Sequence, residues 1–156
     1  MENIVPLEIG GARGKVELEG VLGVFAKVLV DGTPVRAQRG VFPVPLKGGR
    51  TASVRLRGFL PGFQKVLVDG EQVMALGSHV PMAARITMFA PLLLVLAGGY
   101  GPALGAVGLV LGLLLFFLSI LVVKNDAMPV PMRVALPVVN TIAAGIVILV
   151  FAGALG

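Results

Sequence analysis

Up to about residue 80 the hydrophobic positions recur every second residue, and beyond it polar positions nearly vanish. Lys15 to Glu19 (KVELE) and Ser53 to Arg57 (SVRLR) alternate polar with apolar side chains, the period of a strand that buries one face. Lys27 to Val30 and Lys65 to Val68 are rich in valine, and each runs into Asp-Gly, the pair favoured by a tight hairpin turn with positive φ. Val35 to Ala37 and Val73 to Ala75 are then the predicted returning strands. After Arg85 the segments are apolar on every face and are punctuated by glycine and proline.

The strand half is an internal duplication. Lys27 to Gly32 (KVLVDG) recurs as Lys65 to Gly70, an offset of 38 residues. The match extends backward through Phe25 and Phe63, Leu22 and Leu60, Gly20 and Gly58, Leu18 and Leu56, and Val16 and Val54. Gly10 and Gly11 correspond to Gly48 and Gly49, and, after a slip of one residue, Val5 to Leu7 corresponds to Val44 to Leu46. Two copies of about four strands, over residues 3–40 and 41–78, predict an all-β domain covering 1–80 that closes as a sandwich or a barrel. Glu17 and Glu19 of the first copy occupy the positions of Arg55 and Arg57 in the second. Neighbouring strands would join them in cross-strand ion pairs, and separated strands would leave two solvated faces.

Each copy runs through a Val-Pro-Leu strand, a glycine turn, an alternating strand and a hairpin such as Gly62 to Gly70 (GFQKVLVDG). Over residues 3–76 this layout resembles the repeated β unit of the Fas apoptotic inhibitory molecule family. The resemblance implies a β-sandwich without catalytic residues and carries over no site. Members of that family are soluble, and the tryptophans of their repeat have no counterpart in a chain that contains none.

Between Arg85 and Lys124 lie 38 uncharged residues, which as one helix would be about 57 Å long against a hydrocarbon core of about 30 Å. The run must therefore break, and Gly98 to Pro102 (GGYGP) is where its punctuation concentrates. A helical transmembrane region over 86–156 is expected, with segments at about 86–98, 103–123 and 134–155 and a polar, proline-rich loop from Lys124 to Arg133. Three crossings would place Arg85, Lys124 and Arg133 on one side, in accord with the positive-inside rule, whereas two would strand the basic loop outside. Gly98, Gly101, Gly105, Gly108 and Gly112 recur at intervals of three and four, a seam along which another backbone can approach closely, and Ala143 to Gly145 offers a small face to meet it. Asn140 and Thr141, roughly two turns into the last segment beside Pro137, are candidates for a polar contact within the membrane.

Charge adds the compartment. Through Arg85 the chain has eleven Lys or Arg against seven acids. No basic stretch followed by an apolar run opens the chain, so the expected location is a multi-pass protein of the cell membrane with a cytoplasmic β domain. Arg36, Arg39, Arg50, Arg55 and Arg57 are candidates for a surface interaction. With Tyr100 the only tyrosine and no base-stacking set on the strands, they suit anionic lipid better than nucleic acid.

Catalytic chemistry has little to build on. The chain has no cysteine and one histidine, His79, too few for the usual zinc set, and no phosphate-binding glycine loop followed by a helix and lysine. Asp31 and Asp69 each precede glycine, as turn residues do. No cofactor or metal is expected, and the chain reads as a non-enzyme. Its β domain would bind a protein or membrane surface while its glycine-rich helices assemble as a homo-oligomer or within a larger membrane complex. The alternative is a small transporter or channel component acting as an oligomer.

Overall fold

The computed structural model describes residues 3–155. They fall into two compact units, one ending at Ser78 and the other beginning at His79.

In the first unit each copy of the duplication is one antiparallel meander. The first comprises β1 (Ile4–Pro6), β2 (Val16–Glu19), β3 (Lys27–Val30) and β4 (Thr33–Pro34); the second comprises β5 (Val41–Pro45), β6 (Thr51–Arg57), β7 (Lys65–Val68) and β8 (Glu71–Ala75). Strand order follows chain order in both sheets. The period-two pattern turns Leu18, Val28, Val44, Val54 and Val66 inward, and all five are completely buried in a core to which both sheets contribute. At about 1.5 to 3 kcal/mol for each such side chain, these contacts hold the two sheets face to face. The sheets stay distinct, so the closure is a sandwich and not a barrel. The Arg13 amide donates to the Pro45 carbonyl at 3.0 Å and the Lys47 amide to that of Gly11 at 2.8 Å, tying the copies together.

Both predicted Asp-Gly hairpins form, with Asp31 and Asp69 at φ 49° and the following glycines also positive, the pair of left-handed residues that a type I′ turn requires. One expectation is corrected and one open alternative is decided. The returning strand of the first copy is only Thr33–Pro34 and not Val35 to Ala37, its pairing with β3 ending on a last bond from the Val35 amide to the Val28 carbonyl at 2.9 Å. Nor do the glutamates of β2 meet the arginines of β6. Strand β2 lies between β1 and β3 and β6 between β5 and β7, in different sheets, and Glu17 instead pairs with Lys15 at 2.6 Å.

The second unit consists of α1 (Met82–Thr87), a 3-10 helix (Ala90–Tyr100), α2 (Pro102–Lys124) and α3 (Val130–Leu155). The break falls where glycine and proline concentrate: Gly101, at φ 121°, precedes Pro102 in the first turn of α2, where a missing amide costs nothing. Helices α2 and α3 are each long and apolar enough to cross a membrane, while Met82–Ala97 is a shorter apolar stretch. Helix α3 starts four residues earlier than predicted, with Pro131 in its first turn, so the loop between the long helices shrinks to 125–129.

The short stretch matches the long helix level by level. His79 Nε2 is 3.0 Å from the carbonyl of Lys124, the Phe89 and Phe116 rings are 5.5 Å apart, and the carbonyls of Pro91 and Leu94 lie against Gly112 and Gly108. From His79 to Tyr100 the chain therefore runs antiparallel to α2 along its whole length. A 3-10 helix makes this economical, because it rises about 2.0 Å per residue against about 1.5 Å in an α-helix.

Candidate functional site

On the second sheet, Arg39, Arg55 and Arg57 line one open basin of about 700 Å³, together with Gly40, Ser53, Leu56, Leu67, Asp69 and Gly70. Arg55 and Arg57 share the outer face of β6, two residues apart, while Leu56 between them is half-buried and packs against the core. Arg39 arrives from the connection between the copies, where Gln38 and Val41 exchange backbone hydrogen bonds of 2.7 and 3.0 Å around Arg39 and Gly40. Of the five arginines read from the sequence, these three are brought together. Arg36 and Arg50 are exposed and do not line the basin.

Comparing the copies shows how they differ around the basin. Arg39 sits at φ 50° in the left-handed region, where the equivalent residue of the other copy is Gly77 at φ 67°. A side chain there costs about 1 to 2 kcal/mol of local strain, which glycine avoids. In the first sheet Glu19 lies opposite Lys27, an attractive pair; in the second, Arg57 lies opposite Lys65, and like charges facing across a ladder repel. Val21, nearly buried in the first copy, is replaced in the second by Phe59, which is 99% exposed two residues beyond Arg57. Strain and repulsion oppose folding, the unburied ring adds nothing to it, and all three lie at or next to the basin. Reading each copy alone conceals this; aligning the two makes Gly77 against Arg39 and Val21 against Phe59 visible.

The aspartates are occupied by structure. The Asp31 carboxylate accepts the Lys15 amide at 2.7 Å, and Asp69 accepts both the amide and the hydroxyl of Ser53, at 2.7 and 3.1 Å, clasping the neighbouring strand to the hairpin. Among the described residues no group of His, Cys, Asp and Glu is arranged to hold a metal ion.

In the helical unit, the charged side chains and His79 gather at one end. Lys124 is completely buried at the C-terminus of α2. Arg133 is 7% exposed, and its guanidinium donates to the carbonyls of Met128 at 2.7 Å and Asp126 at 2.9 Å, closing the short loop. Arg85 reaches back to the carbonyl of Val80 at 3.0 Å, toward the same end. His79 spends its ring nitrogen on the Lys124 carbonyl.

The predicted glycine seam resolves into separate roles. A methyl group on Gly108 would collide with the carbonyl of Leu94 and lie 3.0 Å from the Ala97 side chain; on Gly112 it would lie 2.8 Å from the carbonyl of Pro91. The spacing fits: four residues of α-helix and three of 3-10 helix both advance about 6 Å. Gly101 has open space around it and serves the break, Gly105 is half-buried in the first turn, and the packing around Gly98 lies outside the described residues. Close approach along α2 is thus used within the chain. Of the small face Ala143 to Gly145, Ala144 packs against the cluster of Leu94, Ala97 and Ile148, and a methyl group on Gly145 would lie 3.7 Å from the Leu94 side chain. Thr141 is buried, and its hydroxyl donates to the Pro137 carbonyl at 2.6 Å, within its own helix. Asn140, beside it, is exposed.

No protein-family model, no curated protein and no solved structure matches the chain.

Proposed function

We propose that the chain is a non-enzymatic membrane protein whose β unit docks on the anionic surface of the bilayer that its helical unit crosses. The observation that carries this reading is the convergence of Arg39, Arg55 and Arg57 on one basin. Three guanidinium groups at one place suit the phosphates of lipid headgroups, each basic side chain near an anionic surface being worth about 1 kcal/mol. The bare Phe59 ring two residues beyond Arg57 favours a lipid surface over a free polyanion, because an aromatic side chain gains by entering the headgroup layer. The similarity of residues 3–76 to the Fas apoptotic inhibitory molecule repeat belongs to this proposal as a likeness of architecture alone.

Three crossings fit this reading. If α2 spans the hydrocarbon, the stretch from His79 to Tyr100 traverses the same thickness, since it keeps level with α2 from Lys124 to the break at Gly101. Arg85, Lys124 and Arg133 then lie at one membrane face, and the positive-inside rule makes that face cytoplasmic, with the β unit on the same side.

The β unit has a core of its own and is suited to production as residues 1–78. Flotation with phosphatidylcholine vesicles, with and without phosphatidylserine, tests the docking. Binding to the anionic vesicles alone, weakened by salt and lost in the Arg55→Ser/Arg57→Ser double variant, is expected. Equal binding to neutral vesicles, or none to anionic ones, refutes it.

A further inference from the structure

We propose that α3 pairs with α3 of a second copy of this chain through Asn140, an inference that rests on the reading of α3 as a membrane span. The apolar span Val130–Gly153 has Asn140 ten residues from its start, about 15 Å in, close to the centre of the bilayer. Its side chain is exposed and makes no hydrogen bond among the described residues, in contrast to the neighbouring Thr141. A carboxamide facing hydrocarbon at that depth has neither water nor protein to satisfy two donors and an acceptor, a costly state.

What covers it follows from the chemistry of the group and the surface around it. A carboxamide is complementary to itself, since each donates to the other's oxygen across a twofold axis. Copies inserted with one orientation meet with their α3 helices parallel, so identical residues face each other. Leu136, Asn140, Ala143, Val147 and Val150 follow at intervals of four, three, four and three, the seam of a left-handed helix pair, with Asn140 and Val147 at equivalent heptad positions. Asn140, Ala143, Val147 and Val150 are exposed and Leu136 is half-buried. Ala143, one turn from Asn140, lets the backbones come close enough for the amides to meet. Of the glycines spaced along α2, Gly108 and Gly112 are not free for assembly, being covered by the 3-10 helix.

The full chain in liposomes supplies the test, and the absence of cysteine makes single-cysteine variants clean probes. Ala143→Cys and Val147→Cys should form disulfide-linked dimers on mild oxidation, while Ile142→Cys and Leu149→Cys, exposed on the opposite side of α3, should not. Energy transfer between labelled copies, followed as lipid dilutes them, should show self-association weakened roughly three- to thirtyfold by Asn140→Leu and kept by Asn140→Gln. Undiminished association of Asn140→Leu, or equal cross-linking from both sides of α3, overturns the pairing and leaves the span untouched. Release of the chain from membranes by alkaline carbonate overturns the span, and the pairing with it.

Discussion

Replacing Arg39 by glycine should make the β unit more stable and a poorer binder at once. Arg39 lies at φ 50°, and the other copy places Gly77 at this point. Relief of the left-handed strain returns about 1 to 2 kcal/mol, against about 0.5 to 1 kcal/mol for the greater freedom glycine gains in the unfolded chain. A net gain of about 0.5 to 1 kcal/mol remains. For a unit of this size each kcal/mol moves the melting temperature by about 4 to 8 °C, so Arg39→Gly should melt about 2 to 8 °C above the parent. The lost guanidinium should meanwhile weaken binding to anionic vesicles about fivefold, the equivalent of about 1 kcal/mol for one basic group near such a surface. Circular dichroism melts and vesicle flotation on residues 1–78 read the two effects separately. Arg36→Ala, exposed but outside the basin, is the control and should change neither by much. A variant that melts lower, or that binds no worse than the Arg36→Ala control, refutes the claim that strain is tolerated at Arg39 for the sake of an anion.

Other expectations follow from the same geometry. Gly108→Ala drives a methyl group into the Leu94 carbonyl and should destabilise the helical unit by about 1 to 3 kcal/mol, seen as earlier unfolding in detergent, whereas Gly153→Ala, which meets nothing within 4 Å, should be silent. Leu18→Ala empties a completely buried site in the sandwich and should cost about 2 to 5 kcal/mol in urea titrations of residues 1–78. Single cysteines at Ala127 and Gly153 should react with a membrane-impermeant maleimide from opposite sides of sealed vesicles; labelling of both from one side contradicts a crossing by α3. The full chain in sealed liposomes should pass neither ions nor small solutes, and reproducible flux would favour a transporter or channel component.

Much of the architecture is written in local pattern. Alternation at Val16 and Leu18, or Val54 and Leu56, requires a strand with one face buried, and Asp31-Gly32 and Asp69-Gly70 require left-handed turns, because those constraints act over a few residues. The break before Pro102 and the long apolar helices are equally local, since backbone groups and side-chain hydrophobicity dictate them without reference to any distant partner. Tertiary structure alone decided which surfaces meet. Each copy closes its own sheet, so Glu17 and Arg55, matched in the duplication, never pair. The arginines separate into three that converge and two that do not, since that depends on a turn bringing Arg39 beside β6 across a gap in sequence. The glycines of α2 took their partner from the carbonyls of Pro91 and Leu94, because the match of a 3-10 turn to four residues of α-helix exists only once both helices have formed. That choice covered Gly108 and Gly112 and left Asn140 exposed.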